Sequence, residues 1–258
     1  MKASIHPSAI VHPDATIAEN VNIGPYAWIR EDVIIGPDCE IGSHVVLLPG
    51  VRLGKSCQVY HHAVLGEVPQ DLKFGGEKTT AEIGDRTVIR EFVTINRGTQ
   101  ARGATRVGSD CLLMAYTHVA HDCVLGNHVI MSNAASLAGH IDVEDWVIIS
   151  GLVGVHQFCR IGQHSMIGGL YRVTKDVPPY IIAANEPLAF CGLNVVGLKR
   201  RGFPADTIQA LKKAYQLIYR SSHNVTDAVR ILEQHDNRIP EVQNILDFIQ
   251  KSERGIIR

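Results

Sequence analysis

Three histidines and an aspartate crowd one short stretch, Thr117 to Val129, which reads THVAHDCVLGNHV: His118, His121, Asp122 and His128. Imidazole exchanges a proton near neutral pH, its ordinary pKa being about 6.5, and in its neutral form it is also a common metal ligand. An adjoining carboxylate either orients such a ring for base catalysis or joins it around a metal. Taken alone, the stretch fits proton chemistry, a metal site or a wet surface. Two further polar clusters lie downstream, LAGH at Leu137 to His140 and VHQFC at Val155 to Cys159. Whether the three meet depends on the elements that carry them.

Those elements repeat. Stepping by six from Ile5 to Val173 visits 29 positions, of which 26 are Ile, Val, Leu or Met; the exceptions are Asp71, Glu77 and Ala101. A helix turns every 3.6 residues and cannot hold one phase at six for so long, whereas short strands joined by tight turns can. Repeat architecture is therefore the first inference. Four residues after each anchor comes a smaller inward position, and Cys39, Cys57, Cys111, Cys123 and Cys159 all fall on it. There cysteine is expected to act as compact apolar filler, with no redox or metal role. Cys191 lies outside the pattern and has no reading. Glycine often follows the anchor, as at Gly24, Gly36, Gly54 and Gly108, and is expected to relieve strained corners. The pattern resembles the hexapeptide repeat of left-handed parallel β-helices, whose members wind three such sides into one coil.

The repeat breaks at about 66–82, GEVPQDLKFGGEKTTAE, and more mildly around Ala101, in RGTQARGAT. Both breaks predict loops projecting from a rigid scaffold, the place where functional residues concentrate. After Pro179 the character changes. PADTIQALKKAYQLIYRS has helical spacing, and TDAVRILEQ and PEVQNILDFIQKS read similarly, with Thr226 as an N-cap and Pro240 near a helix start. The expectation is a repeat domain over 1–190 and a helical domain over 191–258, the latter covering an open end of the solenoid.

Composition narrows the function classes. Twenty-five basic and 26 acidic side chains give a net charge of −1, against a dedicated nucleic-acid binder. No apolar run is long enough for a membrane span, and MKASIHPSAI lacks the apolar core of a secretory signal, so a cytoplasmic protein is expected.

If one coil takes three hexads, His121, Gly139 and Gln157 lie one above another, with His140 and His156 beside them. Three clusters distant in sequence then form one strip. His6, His12, His44, His128 and His164 are expected at the surface or at hydrogen-bonded corners. His61 and His62 precede the first loop and are not assigned chemistry. Alignment alone leaves a metal site open.

QDLK at Gln70 to Lys73, HVAHDC at His118 to Cys123, LAGH, VHQFC and GLKRRGF at Gly197 to Phe203 occur in this order. Together they resemble the UDP-N-acetylglucosamine O-acyltransferase family over nearly the whole chain. The resemblance implies a left-handed parallel β-helix of three-sided coils followed by a small α-helical C-terminal domain. It implies transfer of an (R)-3-hydroxyacyl group from acyl carrier protein to the 3-hydroxyl of UDP-N-acetylglucosamine, which opens lipid A biosynthesis. His121 matches the general base, Asp122 the residue that supports it, and Gly139 an oxyanion donor. Gln70, Asp71, Lys73, His118, His140, His156 and Gln157 match substrate positions. Asn194, Arg200 and Arg201 match nucleotide contacts, and Gly169 matches a position that limits acyl length, its missing side chain implying a long chain. No metal or cofactor is implied, and a homotrimer with sites between subunits is.

AANEPLAF, from Ala183 to Phe190, departs from the family's pattern, which leaves an amine at the same sugar carbon as an alternative acceptor. Three rivals remain. A zinc lyase of the γ-carbonic-anhydrase type shares the β-helix and uses histidines, but gives the tail no purpose. The N-acyltransferase acting later in the same pathway carries an extra domain before its repeats, whereas these begin at Ile5. A non-catalytic solenoid explains the core but not the polar strip.

Overall fold

The computed structural model describes residues 2–234 and 239–258. It is a left-handed parallel β-helix followed by a small helical domain. Among the described residues three sheets of 11, 9 and 8 strands form the sides, and consecutive strands of the chain pass from sheet to sheet in turn. Most strands are very short, pairs such as His118–Val119, Ser136–Leu137 and Gly154–Val155. Such short strands gain stability by stacking: their backbone N–H groups find carbonyls on neighbouring coils, as Asn22 does on Cys39.

The periodic anchors form the core. From Ile23 to Val173 they are at most 4% exposed, whereas Ile5 in the first coil is 45% exposed. Among the described residues nothing stacks below the first coil to bury it. The cysteines at the second inward position are buried, as its small size requires, and Cys191 is exposed.

Ordinary coils advance by 18 residues, as where Asn22 stacks under Glu40 and its side chain donates to the Glu40 carboxylate. The first break lengthens the advance to 30 residues, the separation at which the Lys55 N–H meets Asp85. The second lengthens it to 24 residues, the separation at which Arg86 pairs with Asp110. The strand registers agree, Gln58 facing Val88 and Val88 facing Leu112. Both advances are whole numbers of hexads, so the apolar phase survives the insertions.

Corners are made differently from the sequence expectation. The residues with φ near +60° are non-glycine and recur in step with the hexads, among them Asp110, Tyr116, Asp122, His128, Ala134 and His140. Asp and His are among the side chains more often found in this region. The glycines after the anchors serve close packing instead: a Cβ on Gly108 would lie 2.3 Å from the Gly126 carbonyl oxygen of the next coil.

The chain leaves the solenoid through an antiparallel pair, Ile181–Ala184 with Ala189–Leu193. Helices α1 (Val195–Arg200), α2 (Ala205–Arg220), α3 (Val225–Glu233) and α4 (Pro240–Gln250) follow. Asn224, not Thr226, caps α3, accepting from the Asp227 N–H; Thr226 lies inside the first turn. Pro240 opens α4 as expected. Helix α2 buries Leu211, Ala214, Tyr215 and Ile218, and the Tyr215 hydroxyl donates to the Pro179 carbonyl, fixing the helix to the last coil.

Candidate active site

Stacking brings the predicted strip together. The His140 N–H donates to the His121 carbonyl at 3.1 Å and the Phe158 N–H to the Gly139 carbonyl at 3.3 Å, so positions 121, 139 and 157 occupy one corner of successive coils. A groove of about 610 Å³ runs along it, lined by Gln70, His118, His121, Gly139, His156 and Gln157 among others.

Asp122 is fully buried at the left-handed corner position, φ 59°. The His121 Nδ1–H donates to its Oδ2 at 2.8 Å. The Thr99 hydroxyl donates to the same oxygen at 2.7 Å, while the N–H groups of Thr99 and Arg102 reach Oδ1 at 3.0 and 3.2 Å. Burial pushes this carboxyl upward, but the hydrogen bonds from His121 and Thr99 outweigh it, and the net effect lies below the usual aspartate value. The carboxylate therefore stays ionised, fixes the His121 tautomer and leaves Nε2 as the ring nitrogen free to take a proton.

His140 stands edge-on to His121, ring centroids 5.0 Å apart, and is stacked on Phe158 at 4.7 Å. Burial lowers the pKa of His140, with the Asp122 charge opposing. His118 Nδ1 lies 2.7 Å from the Thr94 hydroxyl, and burial lowers its pKa too, chiefly by desolvation. Both rings are thereby biased toward the neutral form, suited to hydrogen bonding with a substrate.

Gly139 has a geometric reason to lack a side chain. A Cβ there would lie 2.6 Å from Cε1 and 2.7 Å from Nε2 of His121. The imidazole occupies the space a methyl would need.

His121, Asp122 and His140 also place ligand-capable atoms within 4.8 Å of one another. A carboxylate offers about four lone-pair directions, and four donors already occupy those of Asp122. The donor set fits an oriented acid–base pair better than a metal cage.

The other expected residues divide between the groove and more distant corners. Gln70 reaches the groove from the first insertion. There the Asp71 carboxylate accepts from the Lys73 N–H at 3.0 Å, its charge acts on His140, and Lys73 is exposed. Asn194 is buried as the cap of α1 and donates to the His164 carbonyl. Arg201 holds its guanidinium 5.3 Å from the Trp146 ring centroid and donates to the Trp146 carbonyl. Trp146 and His164 belong to the next corner of the coil, not to that of His121. Arg200 is exposed. Gly169 is exposed on the third corner, stacked over Gly151. One chain does not gather these four around His121.

One expectation about the remaining histidines changes. His164 is buried with no partner for Nδ1, contrary to the surface or hydrogen-bonded place expected, because Trp146, Tyr180 and Phe203 enclose it. His62 belongs to a stack running Tyr26, His44, His62, Phe92, Tyr116, and His61 faces Ser43. Sequence reasoning missed Thr94, Thr99, Arg102 and Thr105, the last accepting from the Asp122 N–H at 2.9 Å. Thr99, Arg102 and Thr105 stand in RGTQARGAT, but only a coil one hexad longer than the ordinary 18 residues reveals their place against Asp122.

A family profile described as UDP-N-acetylglucosamine O-acyltransferase, domain 2, matches residues 176–257. An acyl-[acyl-carrier-protein]–UDP-N-acetylglucosamine O-acyltransferase of Thiobacillus denitrificans is 49% identical, covering 99% of this chain and 100% of its own. The chain belongs to the UDP-N-acetylglucosamine O-acyltransferase family. An Aliivibrio fischeri relative bearing the same description as the first is 48% identical over 99% of this chain and 98% of its own. The crystal structure of a UDP-N-acetylglucosamine acyltransferase from Bacteroides fragilis superposes with a TM-score of 0.97 at 49% identity, covering 98% of this chain and 100% of that one. For this acyltransferase-family chain, the match thus extends from the first coils through the helical tail.

Proposed function

We propose that this chain transfers an (R)-3-hydroxyacyl group from the thioester of acyl carrier protein to the 3-hydroxyl of UDP-N-acetylglucosamine, the first step of lipid A biosynthesis. The observation that carries the mechanism is the 2.8 Å hydrogen bond from His121 Nδ1 to Asp122, which commits one ring nitrogen and leaves Nε2 for the substrate. His121 Nε2 takes the hydroxyl proton as the sugar oxygen attacks the thioester carbon. The resulting oxyanion accepts from the Gly139 N–H. Its collapse breaks the carbon–sulfur bond, and the thiol leaves with the proton returned by His121. Asp122 holds the imidazolium formed in between. The residues of this chain supply the base, its orientation and the oxyanion donor, and no step calls for a metal.

His118, His140, His156, Gln157 and the loop residues Gln70, Asp71 and Lys73 serve the sugar, phosphates and acyl chain. Asn194, Arg200 and Arg201 serve the nucleotide, arginine being suited to diphosphate. Since these last three and Gly169 lie away from the His121 corner, a homotrimer in which a neighbour supplies them fits the arrangement. Gly169, without a side chain, favours a long acyl chain. Among the described residues no helix is long and apolar enough to cross a membrane. The reading places the reaction in the cytoplasm.

Mass spectrometry of product made from mixed acyl chain lengths, with the hydroxyl and amino sugars offered together, tests the reading. An ester of the 3-hydroxyl is expected. An amide product would move the acceptor to the 3-amine, and no acyl product at all would overturn the proposal. Stoichiometric zinc in active protein would favour the lyase.

A further inference from the structure

The second insertion adds one hexad to a single coil, and the residues near it converge on Asp122. The Thr99 N–H and hydroxyl and the Arg102 N–H account for three of the four hydrogen bonds on that carboxylate. The Arg102 guanidinium then donates to the Asp122 carbonyl at 3.0 Å and pairs with Asp142 on the adjoining coil. Thr99 also accepts from the Ala101 N–H, closing the turn on itself.

An ordinary coil would stack against Asp122 without furnishing this cradle. A buried carboxylate with unfilled lone pairs would rotate, protonate or admit water. Filled as it is, the carboxylate has one orientation, and Oδ2 is shared by the Thr99 hydroxyl and the His121 ring. The charged and titratable groups facing it are His121, His140 and Arg102. Rotation of Asp122 would free His121 to take the other tautomer, in which Nε2 carries the proton and cannot act as a base.

We propose that the insertion is a positioning device for the general base and that Thr99 is its positioning residue: its hydroxyl holds Asp122 in the one orientation that presents unprotonated His121 Nε2 to the groove. This rests on the acyl-transfer reading above. Thr99 is buried against Asp122 and acts through it.

Thr99→Val keeps the shape and the backbone N–H and removes only the hydroxyl, while Thr99→Ser restores it. The expected result is a kcat lowered about tenfold in Thr99→Val, with the KM for UDP-N-acetylglucosamine within about twofold of wild type, and near-complete recovery in Thr99→Ser. A readout independent of turnover is the His121 Nδ1–H proton signal in ¹⁵N-labelled protein, assigned with His121→Gln: it is retained in wild type and Thr99→Ser and lost or broadened in Thr99→Val. Wild-type kcat and an unchanged Nδ1–H signal in folded Thr99→Val overturn the proposal, as does Thr99→Ser behaving like Thr99→Val. If Thr99→Val unfolds, Thr99→Ser and Arg102→Ala carry the test, Arg102→Ala being expected to lower kcat with KM held. Failure of wild-type protein to acylate the sugar would instead refute the underlying reading, and the Nδ1–H comparison would still decide the role of Thr99.

Discussion

Gly139→Ala offers a sharp test, because the methyl it adds falls directly on the His121 ring. The three nearest atoms to the added carbon all belong to the His121 ring, at 2.6, 2.7 and 3.2 Å. Ordinary carbon contacts lie at about 3.5–4.0 Å, so the imidazole must retreat by about 1 Å. That movement pulls Nδ1 from its 2.8 Å bond to Asp122 and carries Nε2 away from the acceptor. A misplacement of this size costs about 10²-fold in rate. The Gly139 N–H is unchanged by the substitution, so loss of the oxyanion donor cannot account for the effect. Gly139 lies outside the left-handed region, so the backbone is not strained. Steady-state kinetics with acyl carrier protein thioester should therefore show kcat reduced about 100-fold, the nucleotide-sugar KM little altered, and a melting temperature close to wild type. A folded Gly139→Ala protein with wild-type kcat would refute the reasoning, because either the ring does not need that place or it is not the base.

Other expectations follow from the same structure. His121→Ala should lower kcat by about 10²–10⁴-fold, the usual contribution of a general base, while circular dichroism remains that of the folded protein. Asp71→Ala and Arg200→Ala should raise the KM for UDP-N-acetylglucosamine more than they lower the melting temperature, and equal KM values would remove both from the nucleotide-sugar site. The lowered Asp122 pKa means that its stabilising effect is complete above the ordinary aspartate value of about 3.9 and is lost as pH falls through the lower folded value; denaturant titrations of Asp122→Asn should lose that part of the acid dependence. His164 behaves oppositely: burial lowers its pKa to about 4. The unfolded chain then takes a proton first as pH drops below about 6.5, and stability declines until the folded ring also protonates. His164→Phe, which keeps the aromatic stack, should remove this decline between about pH 6.5 and 4.

The core was legible because its rule is local and periodic. An anchor in every hexad needs no knowledge of the coil's circumference, and insertions of two hexads and then one left its phase intact. The strip from His121 through Gly139 to Gln157 was legible for the same reason, since it lies wholly beyond both insertions, where every coil has the ordinary length. Below His121 that arithmetic fails. Thr94 lies under His118 at a separation of 24, and Thr99 reaches Asp122 across 23. The Thr226 expectation failed because Asn224, just ahead of it, supplies a better-placed acceptor to the Asp227 N–H.

Strand period and side-chain size are enough to fix the periodic anchors, the buried place of five cysteines and the alignment of three polar clusters. The folded coils were needed to show which hydrogen bonds fill the Asp122 carboxylate, why position 139 has no room for a methyl, and that Arg201 and Asn194 sit one corner away from His121. Those facts depend on how a coil of unequal length closes upon its neighbour, and on directions of individual donors that no spacing encodes.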